Sequence, residues 1–149
     1  MKKSIAYLAF YSTSNPDLLQ RAIMLADGSK FCHVEIAVPD NDKFLCYSAS
    51  HIDGGVRLKR IDLNNGKWTL IPVEIDLDRL KKIFLENNNK KYDYFGLLST
   101  KIYCLPSFPN RWFCSELCSE ILGLKNPCNY GVKRLYQTVI EKNPQLNIQ

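Results

Sequence analysis

An α+β domain, with an antiparallel β-sheet packed against helices, is the fold class this sequence predicts. Two observations point to it. Five apolar segments of strand length, divided by turn residues, lie in the first half of the chain. The second half has helical character, and strands followed by helices match the α+β order. A third observation sets the scale. At 149 residues, with 46% hydrophobic and 11% aromatic content, residues 1–149 form one domain with a single substantial core.

Residues 5–11 read as a buried first strand. Two lysines precede it, but the apolar run is too short for a secretory signal and no small-residue cleavage site follows. No stretch approaches the apolar length of a membrane span. The expected compartment is therefore the cytoplasm. There the six cysteines (Cys32, Cys46, Cys104, Cys114, Cys118 and Cys128) stay free thiols rather than a disulfide framework.

"SNPDLLQRAIMLADG" is punctuated as a helix, with Ser14 or Asn15 as cap, Pro16 in the first turn and Gly28 after the stop. Leu18, Leu19, Ala22, Ile23 and Ala26 form its apolar stripe. "KFCHVEIAV" and "KFLCYSAS" flank the turn residues "PDND" and predict an antiparallel hairpin. The turn "DGG" leads into a fourth strand, "VRLKRI", and "NNG" into a fifth, "KWTLIPVEI". Asp76 caps "LDRLKKIFLEN", "YDYFGLLSTKIY" continues the helical half, a helix near Cys114 runs to Leu122, and residues 132–141 close the chain.

Charge excludes little and suggests little. Lys+Arg 20 against Asp+Glu 15 gives +5, and the basic residues are scattered, Arg57, Lys59 and Arg60 among them. A solvated surface explains them better than a nucleic-acid footprint, so no nucleic-acid partner is expected.

The informative stretch is "PNRWFCSELCSEILGL". Pro109 and Asn110 start the helix close to Trp112 or Phe113, which puts Cys114 in the first turn. There the unsatisfied N–H groups and the dipole favour a thiolate and can hold an oxyanion. On that helix alone, a plain buried thiol is the better reading. Cys118, one turn deeper, reads as a small core residue.

The balance changes with "FCHVEI". His33 and Glu35 are two residues apart on a strand, so both side chains emerge on one face. A carboxylate beside a histidine within an apolar strand suits an imidazole held in one tautomer and made basic. His51, beside the "DGG" turn, reads as an exposed loop residue. Zinc is unfavoured, because the cysteines and histidines lack structural-zinc spacing.

"CHVEI", then "CYSAS…DGGV", "YDYFGLL" and "WFCSE" together resemble the circularly permuted, papain-like branch of the NlpC-type cysteine peptidase superfamily. The nearest type is the YiiX/YebB-like bacterial and phage group, with lecithin:retinol acyltransferase-like enzymes more distant. The similarity spans residues 7–124, and its distinctive part is order, the histidine strand preceding the cysteine helix.

The resemblance implies thiol hydrolase or acyltransferase chemistry without a cofactor, with Cys114 and His33 meeting across a cleft. Glu35 is the nearby carboxylate taken as the third residue, with Ser48 and Ser50 on the next strand as alternatives. Tyr11 and Ser115 are candidate oxyanion or cleft-lining groups. Peptides, isopeptides and lipid acyl groups are the implied substrates. Phe108 and Trp112, with Tyr92, Tyr94 and Phe95, suggest an apolar groove. The rival is a non-catalytic peptide- or lipid-binding module on the same fold.

Overall fold

The computed structural model describes residues 3–93 and 111–143. Within them, strands β1 (Lys3–Tyr11), β2 (His33–Asp40), β3 (Lys43–Ser50), β4 (Gly55–Ile61) and β5 (Trp68–Asp76) join two short strands, β6 (Lys91–Tyr92) and β7 (Arg111–Trp112), in one sheet. Its order is β5-β1-β2-β3-β4-β6-β7. Every pairing is antiparallel except β6 with β7, which is parallel. Four α-helices and a 3-10 turn (Pro127–Asn129) accompany it among the described residues: α1 (Leu18–Asp27), α2 (Leu77–Asn87), α3 (Cys114–Ile121) and α4 (Val132–Lys142). The fold is α+β, a mainly antiparallel sheet packed against helices. No helix among the described residues is long and apolar enough to cross a membrane.

Alternation along the strands divides the sheet into two faces. Leu8, Phe10, Val34, Ile36, Ala49, Val56 and Ile71 project into the main core, where Leu117 and Cys118 of α3, Leu80 of α2 and Leu135 of α4 meet them. Ala9, Ala37, Cys46 and Leu63 form a smaller cluster apart from it, covered by Tyr7, Phe44, Ile61, Trp68 and Leu70. Gly55 shows how tightly β6 is joined to the sheet: a Cβ there would lie 2.0 Å from the Lys90 carbonyl oxygen. Only glycine lets the two backbones approach that closely.

Three sequence expectations are corrected. The cap of α1 is Asp17, not Ser14 or Asn15. Its side chain accepts from the Gln20 N–H at 2.8 Å, while Gln20 Oε1 accepts from the Asp17 N–H at 2.9 Å. This reciprocal box needs an acceptor three residues before a Gln or Glu, a spacing only Asp17 has. The apolar stripe is also rotated, for Gln20 and Ile23 are buried while Leu18 and Leu25 are exposed. The box pins Gln20, and Asp27 accepts from the Lys133 N–H at 2.8 Å, so these contacts set the inward face. Finally, Tyr92 and Trp112 belong to strands, because backbone pairing across the β6–β7 seam outweighs any local preference. The rest of the "YDYFGLLSTKIY" helix lies outside the described residues.

Candidate active site

His33 is the first residue of β2 and Glu35 the third. His33 Nε2 lies 2.7 Å from Glu35 Oε1. The carboxylate is fully buried, and Arg57 closes its far side, Nη1 donating to Oε2 at 2.7 Å and Nη2 to Oε1. Arg57 reaches Glu35 from two strands away, passing β3 with Nη1 3.4 Å from the Cys46 carbonyl. Its Nε donates to Asp53 Oδ2 at 2.8 Å. Sequence alone places Arg57 among the solvated charges. The fold leaves its side chain 16% exposed, because the β3–β4 register sets it opposite Ser48, on the side where Glu35 needs a counter-charge.

These contacts fix the local electrostatics. Burial opposes a charge on His33. The Glu35 charge, the influence of the Cys114 side chain and the hydrogen bond with Glu35 outweigh it, holding the imidazole pKa up at about 10. Burial likewise works against the Glu35 carboxylate, but the His33 charge and the Arg57 hydrogen bonds keep it below the usual range.

Cys114 opens α3, and the residue before it, Phe113, is extended and makes no side-chain cap bond. His33 and Cys114 differ in their access to solvent. His33 keeps 13% of its side chain exposed and lines a cavity of about 170 Å³ with Glu35, Arg57, Tyr11 and Trp68. Cys114 has no exposed surface and does not line that cavity. The first turn of α3 sits in the main core, with Phe113, Cys114, Leu117 and Cys118 all in the cluster that holds Val34. Cys118 Sγ lies 3.8 Å from the Val34 carbonyl, and burial raises its pKa well above the ordinary thiol value.

Ser48 and Ser50 have other partners. Ser48 Oγ donates to the Val34 carbonyl at 2.7 Å, and Ser50 Oγ accepts from the Asp53 N–H at 3.3 Å. Tyr11 packs on Trp68 with ring centroids 4.9 Å apart, and Trp68 meets His33 edge-on at 6.5 Å. Ser115 Oγ is buried with no hydrogen-bond partner among the described residues. Of the proposed aromatic rim, Tyr92 is core and Trp112 is half-buried, its Nε1 donating to Asn87 Oδ1 at 3.0 Å. Tyr94, Phe95 and Phe108 lie outside the described residues, as does Cys104.

His51 is the other correction. It is not an exposed loop residue: its side chain is 14% exposed, with Nε2 3.1 Å from Asp17 Oδ2. Its partner lies 34 residues earlier, so no local pattern announces the pair. No protein-family model matches this chain, and no curated protein does either. Among the described residues, no group of three or more His, Cys, Asp or Glu side chains is placed to hold a metal ion.

The perturbed groups predict how stability depends on pH. His33, raised from 6.5, contributes stability that is fully present below 6.5 and lost as pH rises through about 10. Burial raises Glu116 from 4.5 to about 7, a backbone bond at Phe113 opposing and the Asp93 and Glu120 charges adding to the rise. Its contribution is present below 4.5 and lost as pH climbs through about 7. Glu35 has the opposite sign, contributing above 4.5 and losing its contribution as pH falls. Thermal unfolding should therefore show greatest stability in mildly acidic buffer, at about pH 5. A His33→Gln variant should flatten the alkaline limb. A melting temperature that climbs steadily from neutral to alkaline pH would contradict this account.

Proposed function

We propose that the chain is a cysteine hydrolase or acyl transferase on a circularly permuted papain-like fold, with Cys114 as nucleophile, His33 as base and Glu35 orienting His33. One observation carries the reading. His33 Nε2 bonds a buried carboxylate at 2.7 Å, and the side chain of Cys114, the residue that opens α3, is among the influences that raise the His33 pKa. Glu35 takes Nε2, which leaves Nδ1 as the nitrogen to serve Cys114.

In this mechanism His33 already holds the thiol proton in a thiolate–imidazolium pair, and Cys114 Sγ attacks the substrate carbonyl carbon. The oxyanion is held by N–H groups at the start of α3. The carbonyl's bond to its nitrogen, oxygen or sulfur leaving group then breaks, and the His33 proton goes to that group. Water, or another acceptor, attacks the resulting thioester, gives its proton to His33 and frees the sulfur. Peptide, isopeptide and lipid acyl carbonyls are the substrate classes that the resemblance supports. Because Cys114 is buried, each turnover requires a local opening that admits the carbonyl.

That burial also favours the second reading, a binding module that retains the fold without turnover. Site-resolved alkylation of the native protein with iodoacetamide separates the two. Burial holds the Cys32 and Cys46 thiols up at about 11 and about 12, and Cys118 higher than its ordinary value. Cys128 is only half-buried and supplies an exposure reference. Cys114 should react ahead of Cys32, Cys46 and Cys118 at neutral pH. His33→Gln should slow it roughly tenfold or more while leaving Cys128 unchanged. A Cys114 that stays inert until the protein unfolds would support the binding module.

A further inference from the structure

The cavity that holds His33 contains a second imidazole, His51. Both rings have the same construction, Nε2 bonded to a carboxylate, Glu35 for His33 and Asp17 for His51. The His51 ring is held from two further directions. Tyr92 meets it edge-on with centroids 6.0 Å apart, and Asp17 is fixed by its capping bond to the Gln20 N–H. Gln20 itself is buried and lines the same cavity. A histidine tied down in this way, yet facing a cavity, is organised for a ligand.

We propose that His51 is a specificity-determining residue that accepts a hydrogen bond from the substrate, selecting acyl groups that carry an N–H or O–H beside the reacting carbonyl. The carboxylate of Asp17 can only accept, so the His51 tautomer that bonds it carries its proton on Nε2 and has its lone pair at Nδ1. The ring thus asks for a donor. An acyl group that presents a methylene in its place leaves this lone pair without a partner, and that loss discriminates between otherwise matched substrates. Tyr11, Trp68, Ile52 and Ile61 give the same cavity apolar walls, which suit the carbon skeleton of the acyl group. The inference rests on the hydrolase reading, since it assumes that an acyl group enters beside His33.

Two p-nitrophenyl esters of nearly equal shape test it. The N-acetylglycine ester carries an N–H where the 4-oxopentanoate ester carries a methylene. After spontaneous hydrolysis is subtracted, kcat/KM should favour the N–H ester by roughly tenfold, the worth of one hydrogen bond. His51→Phe should bring that ratio close to one. His51→Asn, whose amide oxygen still accepts, should restore part of it. Should His51→Phe fail to fold, His51→Leu removes the acceptor with a smaller side chain. Equal turnover of both esters, or a preference that survives loss of the ring, overturns the role of His51 while the hydrolase reading stands. Turnover of neither ester, with no acylation of Cys114, overturns both.

Discussion

Cys114→Ala should lower ester turnover at least ~10³-fold, to near the spontaneous rate, if Cys114 is the nucleophile we propose. His33→Gln is the companion, chosen because a glutamine amide can still donate to the buried Glu35 carboxylate. It should cost a comparable factor. The double variant should be no worse than the poorer single one, since two groups that act on one proton lose their function together. Initial rates on the N-acetylglycine ester, with thermal unfolding of each variant as a folding control, decide the matter. Turnover that survives in folded Cys114→Ala would remove Cys114 from the chemistry, and losses that multiply in the double variant would mean that the two residues act separately.

Glu35→Gln is expected to have the largest effect on stability. Glu35 is fully buried and bonded to His33 at 2.7 Å and to two nitrogens of Arg57. Neutralising it leaves two cationic side chains in the interior with only Asp53 to compensate, and breaking a buried pair in this way costs about 3–5 kcal/mol. Surface pairs such as Lys3–Glu74, both partners 70% exposed, offer a contrast, because solvent screens them almost completely.

The same substitution should lower the pKa of His33, which the Glu35 charge helps to raise, and so shift the pH profile of Cys114 alkylation towards acid. A second variant separates orientation from stability. Replacing the pair by apolar groups, Glu35→Met with Arg57→Leu, should regain much of the lost stability. It should not regain the alkylation profile. Unchanged alkylation in Glu35→Gln would remove Glu35 from the orienting role, and slower alkylation in Ser48→Ala or Ser50→Ala would move it to the next strand. Urea unfolding and site-resolved alkylation give the two readouts.

What the sequence determined by itself is what acts over a few residues. Period-two alternation sets His33 and Glu35 on one side of β2 whatever else the chain does, and their 2.7 Å bond follows from that geometry. The turn residues before Lys43 and the Asp76 cap on α2 are local for the same reason, each needing only neighbours within one turn. Tertiary structure alone decided the remainder. Arg57 reaches Glu35 over 22 residues and His51 reaches Asp17 over 34, distances at which sequence pattern carries no register information. Strands β6 and β7, two residues each, are too short for any periodicity and exist only because a neighbouring edge pairs with them. The burial of Cys114 belongs here too. The start of a helix is read from its own residues, but whether it faces water or core depends on what packs over it, and for α3 that includes Val34 and Ile36 of β2.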